Sequence, residues 1–560
     1  MCRNAIGGEE IDPNYIAESV RQPRLRIALA TPSPVTHRTA EENLGLGFLA
    51  AALRNAGHTV HLFDAWLEGL DVPGLVRKIV SFEPDLVGFA AYRSNIEPAV
   101  AAMTTIRLVL PDIPVIAGGF GPTFHADDFL NAGFDVVAIG EADNTILDLA
   151  DHYASGKPQL SEISGIAYRD KLGQKDTILR TQPRRLVADL NQLQLPARDT
   201  VGLSLSRRSP SHVQSSRGCQ ASCVFCSIVA FERISEGPQW RQYSIPRFVD
   251  QIEDLVCRGV QHIKVVDDSF IEPPRDTAWC IELASEIERR KIRVYLRGQI
   301  RADRVDGPTI AALADAGFWS FACGIENFAR TALRRMAKRA SIEANHIALR
   351  EFRKAGIVVQ AGHILFDRDT TLQELETNYA GFTRYPWTIS KGVFTEMYAA
   401  TGTAYTRRLM KAGSIAPGDA TPGTGGLGNM RYVIRSPRAQ IVYAGLKTWQ
   451  KSHSRIYDMT IDPLSAPKAI DPTHRVTFQR LSLDLRQQDL ETMRGLLHLA
   501  REIPEKAEYL STHENKRALD YVRHRIASTA SLYDDLSAKA VDAYQAAGLV
   551  YDADDNPFIC

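Results

Sequence analysis

Two stretches of this chain, 24–155 and 206–395, alternate apolar runs of strand length with helical patterns, and this alternation limits the fold most. In the first, "RIALATP", "TVHLFDA", "DLVGFAAY", "PVIAGGF" and "DVVAIGE" are separated by segments such as "NLGLGFLAAALRNAG". Strands so uniformly apolar, joined by helices, belong to a parallel sheet buried on both faces. The expected class is therefore α/β, with a doubly wound, Rossmann-like parallel sheet over 24–155. Ligands of such sheets lie beyond the carboxyl ends of the strands. The second stretch resumes with "HIKVVDDSF", "RVYLRGQIRAD", "FWSFACGIEN", "IVVQAGHILFD" and "KGVFTEMYA". Residues 1–23 read as an N-terminal extension and 156–205 as a connector holding a strand, a turn and a strand. Beyond 396 the pattern turns mostly helical, and 396–560 is expected to be the substrate-binding region. There "GTGGLG" (423–428) lacks the Lys–Ser/Thr ending of a phosphate loop and reads as a flexible loop.

Length and charge narrow the function classes. A chain of 560 residues exceeds one hydrophobic core and calls for several domains. Its 66 Lys and Arg balance 66 Asp and Glu with no long basic run, which argues against nucleic acid or an anionic membrane surface as a partner. Apolar runs fall short of a membrane span, and "MCRNAIGGEEIDPNY" lacks the hydrophobic region of a signal peptide, so a cytoplasmic location is expected. Of eight cysteines, Cys2, Cys257, Cys280, Cys323 and Cys560 are scattered, which makes no disulfide framework.

The other three stand together in "SSRGCQASCVFCSIVAF" as Cys219, Cys223 and Cys226, a CxxxCxxC spacing. Thiolates are soft ligands for zinc, copper(I) or iron–sulfur clusters. Zinc requires a fourth ligand, which His212 is near enough in sequence to supply. Three thiolates alone suit a 4Fe–4S cluster with one iron left open. The structural alternative is a helix packing its cysteines as small core residues, although "SSRGCQAS" has poor helix propensity.

The CxxxCxxC loop, with Phe225 before its last cysteine, resembles that of the radical S-adenosylmethionine (SAM) superfamily, and the resemblance continues in order through about 190 residues. It implies a central partial (β/α)6 TIM-like barrel over 206–395, with the cluster on Cys219, Cys223 and Cys226. "VVDDSF" stands where the family contacts the SAM amino group, which implies Asp267 and Asp268. "RAD" resembles an Arg-bearing strand end and implies Arg301. "GIEN" resembles the strand end near the SAM ribose and implies Gly324 and Glu326. "KAGIVVQAGHILF" resembles the next strand and places Leu365 at adenine, although Phe366–Asp367 stand where many relatives carry Gly–Pro. "TGTAYTRRLMKAGSI" resembles the segment that closes the partial barrel.

The first stretch also has a resemblance. "ENLGLGFLAAALRNAGHTVHLFDA" with "GGFGPTFHADDFLNAGFDVVAIGEAD" resembles the cobalamin-binding domain upstream of many radical SAM enzymes. A nicotinamide-binding unit is disfavoured because GxGxxG is missing after the first strand. The implied cobalamin contacts are Leu44, Gly45, Tyr92, Arg93, Ser94, Gly118, Gly119, Gly121, Pro122, Thr123, Gly140 and Glu141. The DxHxxG motif that supplies a lower axial His is absent; His58, His61 and His125 do not match it. Arg93, which has no lone pair to offer a metal, is expected beneath the cobalt instead.

Together the resemblances imply a cobalamin-dependent radical SAM C-methyltransferase of specialised metabolism, with a 4Fe–4S cluster, SAM and cobalamin as cofactors. The expected partners are a small-molecule substrate, free, carrier-bound or peptidic, and an external electron donor such as flavodoxin or ferredoxin. A related cyclase or ring-rearrangement enzyme is one alternative. A cobalamin sensor with structural zinc is another.

Overall fold

The computed structural model describes residues 24–34, 41–170, 177–415, 432–465 and 470–549. The expected N-terminal extension, the 423–428 loop, Cys2 and Cys560 lie outside the described residues.

The first domain is a sheet of β1 (Arg26–Thr31), β2 (Thr59–Asp64), β3 (Leu86–Ala90), β4 (Val115–Gly118), β5 (Val136–Ala138), β6 (Ile166–Asp170) and β7 (Thr177–Arg180). Its order is β2-β1-β3-β4-β5-β6-β7. The first five strands are parallel, and β6 and β7 add antiparallel to the edge. The hairpin read as part of a connector therefore extends the first sheet. Alternation explains the unbroken apolar strands. Ile27 and Leu29 pack into one core with Leu46 and Leu53, while Ala28 and Ala30 pack into the opposite core with Val87 and Phe89. Strand order reverses direction between β1 and β3, so the crevice beyond their carboxyl ends is the natural ligand site.

A two-stranded antiparallel ribbon, β9 (Ser216–Gly218) and β10 (Trp240–Gln242), follows β8 (Ser211–Val213) and brackets the cysteine loop. The second sheet joins β8 to β11 (His262–Val265), β12 (Tyr295–Arg301), β13 (Phe318–Glu326) and β14 (Val358–His363), all parallel, in the order β14-β13-β12-β11-β8. The sixth expected strand is present as two isolated parallel bridges, Gln360 with Ile389 and Phe366 with Glu396. Among the described residues the barrel is partial: β8 is an unpaired edge of the five-stranded sheet, and β14 carries only the bridge to Ile389 beyond it.

Beyond it, helices Pro437–Ser452, Ser454–Ser465, Pro472–Glu502 and Thr512–Ala546 share one core with the barrel. Trp449, Leu496 and Leu536 are buried in it. No helix of the described residues is long and apolar enough to cross a membrane.

Candidate active site between the two sheets

The strand ends of both domains meet around a cavity of about 870 Å³. From the first domain it is lined by Leu44, Gly45, Tyr92, Arg93, Ser94, Gly118, Gly119, Gly140 and Glu141, all expected at cobalamin. Asp268 and Gln299 line it from the second.

Local geometry explains these positions. Asn95 accepts from Tyr92 N at 2.7 Å and donates to Pro32 O at 2.9 Å, which pins the "AYRSN" turn across to β1. Arg93 beside it makes no hydrogen bond or ion pair with the described residues, and its charge is felt by His125 and Tyr398. Gly119 has φ +96°, and a Cβ there would stand 3.0 Å from Ala91 O, so β4 turns closely past the end of β3. Gly121, Pro122 and Thr123 are buried and do not line the cavity. Thr123 Oγ1 instead accepts from Gly140 N at 3.1 Å and ties the two glycine turns together. Of the three unmatched histidines, His125 lines the cavity, with Nδ1 3.2 Å from Asp128 Oδ2. His58 accepts from Leu25 N, and His61 packs on Phe63 and Phe82.

The cysteine loop starts at Gly218, where φ is +87° and a Cβ would lie 2.1 Å from Gln239 O; only glycine fits. Its middle is pinned by Val224 N donating to Met336 O at 3.0 Å and Tyr405 N donating to Val224 O at 2.8 Å. Cys219, Cys223 and Cys226 are free thiols. Burial pushes Cys219 up to about 12 and Cys226 up to about 11, so as lone thiols they resist ionisation. Arg301 acts electrostatically on Cys219, and Lys338 on Cys223. Among the described residues no three His, Cys, Asp or Glu side chains converge on one metal ion. A zinc ion would need such a convergence. His212 is instead 3.7 Å from Glu41. A 4Fe–4S cluster asks for a different arrangement, because its thiolates take separate irons and stand further apart than ligands of one ion. One buried and two half-buried thiols beside Arg301 and Lys338 fit such an anionic cluster.

The two adjacent aspartates part ways. Asp268 lines the cavity and accepts from Gly218 N at 3.0 Å; burial raises it to about 6. Asp267 is wholly buried: it accepts from Ser215 N at 2.7 Å and from the Ser215 and Ser216 hydroxyls, and pairs with buried Arg275 at 3.6 Å. The expected SAM contact at Asp267 is thus corrected to a structural anchor, because its acceptor sites are engaged inside the fold. Arg301 pairs with Asp303 at 2.7 Å and lies 3.6 Å from Glu272. Glu326 closes β13 at φ +58°, a conformation that costs a non-glycine residue about 1–3 kcal/mol and collects at functional sites. Lys338 holds its carboxylate at 3.0 Å, and a Cβ at Gly324 would meet both groups within 2.7 Å. Phe225 packs in the small core of Val224 and Met336; Leu365 is buried in the main core.

Sequence reading missed a clasp between the domains. Arg217 and Arg241 are direct partners on β9 and β10. Arg217 meets Asp143 at 2.7 Å and Arg241 meets Glu141 at 2.8 Å and Glu232 at 2.9 Å. Glu141 thus contributes an ion pair as well as cavity wall. Three carboxylates facing two guanidiniums leave one in excess; burial, then Glu141, raise Glu232 to about 8.

The model of the B12 binding domain matches residues 36–150, and that of the radical SAM superfamily matches 213–377. The chain belongs to the cobalamin-dependent radical SAM enzymes. Their cofactors are a 4Fe–4S cluster, SAM and cobalamin. An uncharacterised methyltransferase of Pyrococcus horikoshii is 24% identical over 339 residues, 60% of this chain and 71% of its own length. An anaerobic magnesium-protoporphyrin IX monomethyl ester cyclase of Rubrivivax gelatinosus is 26% identical over 349 residues, 60% of each chain, so less than two thirds of that relative is spanned. The structure of the cobalamin-dependent SAM radical enzyme OxsB, with aqua-cobalamin and SAM bound, superposes with a TM-score of 0.73 over 96% of this chain and 82% of OxsB. At 18% identity that likeness is one of fold, and it extends through the C-terminal helices of this cobalamin-dependent radical SAM enzyme.

Proposed function

We propose that this enzyme is a C-methyltransferase that moves a methyl group from SAM, through cobalamin, to a carbon of a small specialised metabolite. The observation that carries this reading is the single cavity walled by the glycine turns of the cobalamin domain on one side and by Asp268 and Gln299 on the other. When bound, the cluster supplies the electron that opens SAM, and cobalamin supplies a methyl carrier. The chain's own residues do the rest. Cys219, Cys223 and Cys226 would hold the cluster, beside the site for SAM. Asp268 accepts from the SAM ammonium, Arg301 faces its carboxylate, and Glu326, steadied by Lys338, accepts from the ribose hydroxyls. Phe225, Gly324 and Leu365 shape the surroundings of SAM. Leu44, Gly45, Tyr92, Arg93, Ser94, Gly118, Gly119 and Gly140 would face cobalamin, Arg93 taking the place that an axial His would need.

The balanced charge, the six free cysteines among the described residues and the lack of a membrane-crossing helix there support a cytoplasmic enzyme fed by a flavodoxin or ferredoxin. The cyclase relatives favour a second reading, ring formation without methylation. SAM carrying a labelled methyl group, incubated with the reduced, reconstituted enzyme and extract of the source cells, separates the two. A labelled small-molecule product supports methyl transfer; a new product without label overturns it.

A further inference from the structure

Four polar side chains form a row across one face of the second sheet. His212 of β8 is the register partner of Lys264 of β11, Lys264 of Arg297 of β12, and Arg297 of Ser320 of β13. Neighbours in a parallel sheet point to the same side, here the inner face of the partial barrel. Such interiors are ordinarily filled by branched apolar residues. His212 and Lys264 line the cavity, as does Gln299, two residues along β12 from Arg297 and so on its face.

The charges in this wall do not cancel. Glu41, reaching over from the first domain, meets Lys264 at 2.7 Å and offsets it. Glu42 lies 3.7 Å from Arg198, accepts from Thr200 at 3.0 Å and from His212 N, and so offsets Arg198. Arg297 makes no ion pair and is reached only by the longer-range charge of Glu41. It donates to Ser320 Oγ at 2.6 Å and to Gln360 Oε1, both neutral, and no carboxylate of the described residues comes within ion-pair distance. It is 5% exposed, and burial lowers its pKa to about 10. A buried cation without an ion-pair partner is costly, and a fold retains it where an anion arrives from outside. One buried polar atom in the wall is also unsatisfied, and one exposed amide is unengaged. His212 Nε2 is buried without a hydrogen-bond partner, and the exposed Gln299 amide makes no side-chain hydrogen bond with the described residues.

We infer that this row recognises the substrate, and that the substrate presents an oxyanion, a carboxylate or a phosphoryl group, to Lys264, Gln299 and His212, with the charge of Arg297 beside them. Phe48, Phe120 and Phe231, in the same wall as the carboxylates Glu141, Glu232 and Asp268, suit an apolar or aromatic body. The inference rests on the reading of the cavity as the place where substrate meets SAM and cobalamin, and it names the class of molecule bound there.

The test uses the full chain with its cluster and cobalamin reconstituted, titrated calorimetrically with three probes of one shape: 2-naphthoate, 2-naphthyl phosphate and 2-naphthamide. At least one anion is expected to bind about tenfold or more tighter than the neutral amide, as a hydrogen bond to a charged group allows. Preference for naphthoate assigns a carboxylate, and preference for naphthyl phosphate a phosphoryl group. Arg297→Gln, which keeps donors for Ser320 and Gln360, should bring acid and amide to equal affinity. Gln299→Leu should weaken the anion in a chain whose charge is unchanged. The amide binding as tightly as both anions, or Arg297→Gln and Gln299→Leu both keeping the anion preference, overturns the inference. So does the absence of anion binding by wild-type enzyme that still cleaves SAM, an outcome that leaves the radical SAM reading standing.

Discussion

At the scale of single residues, the site was legible where a motif fixed both residue type and register, and it misled where only type was fixed. The pair Asp267–Asp268 shows why. Successive side chains of an extended segment point to opposite sides, so Val266 and Asp268 line the cavity while Asp267 turns into the core. A sequence of two aspartates does not say which one faces the ligand. Asp267→Ala should therefore lower stability by about 3–5 kcal/mol in urea unfolding, because Arg275 would remain as a buried, unpaired charge. Stability equal to wild type would contradict its anchoring role. Asp268 should set a pH dependence for SAM. Burial raises its pKa to about 6, so its ionised, ammonium-accepting form fades below that pH. SAM affinity, measured by equilibrium dialysis, should rise between pH 5 and pH 7 in wild type and stay flat across that range in Asp268→Asn. The same slope in both proteins would move the ammonium contact elsewhere.

At the scale of elements, the long strands and helices announced themselves by apolar runs, but β9 and β10 did not. Strands of three residues carry no usable periodicity, so the arginines they place side by side were invisible as a pair. Arg217 and Arg241 join the cysteine loop to the "GEAD" turn that lines the cobalamin side. Arg241→Leu should reduce cobalamin retained per chain through gel filtration while iron per chain holds steady; loss of both together would mean that the ribbon supports the cluster loop instead. The turn after β3 carries a second prediction. Arg93 lines the cavity with no hydrogen-bond or ion-pair partner among the described residues, while His125 is engaged by Asp128. Electron paramagnetic resonance of bound cob(II)alamin should thus show no axial nitrogen splitting. A splitting that disappears in His125→Ala would reverse the assignment and make His125 the lower ligand.

At the scale of the whole molecule, the order of domains was readable and their joining was not. Each sheet is built from local strand–helix units whose pattern survives in sequence. The cavity is made by residues as far apart as Glu41 and Tyr398, brought together only by tertiary packing. The same holds for the polar row, whose members lie on four strands and carry no common motif. The connector hairpin joins the first sheet because β5 offers an edge to pair with, a fact outside the hairpin's own sequence. Helices Pro472–Glu502 and Thr512–Ala546 were visible as helical pattern, yet nothing in them marked the barrel as their docking surface.

The central claim is that one cavity brings cluster-bound SAM and cobalamin together for methyl transfer. It is tested most directly without knowing the substrate, by incubating the reduced, reconstituted full chain with SAM and quantifying two products. The account predicts 5′-deoxyadenosine that vanishes when Cys219, Cys223 and Cys226 are all replaced by Ala, together with S-adenosylhomocysteine that forms only when cobalamin is present. Formation of 5′-deoxyadenosine with no S-adenosylhomocysteine under any cobalamin loading would contradict it.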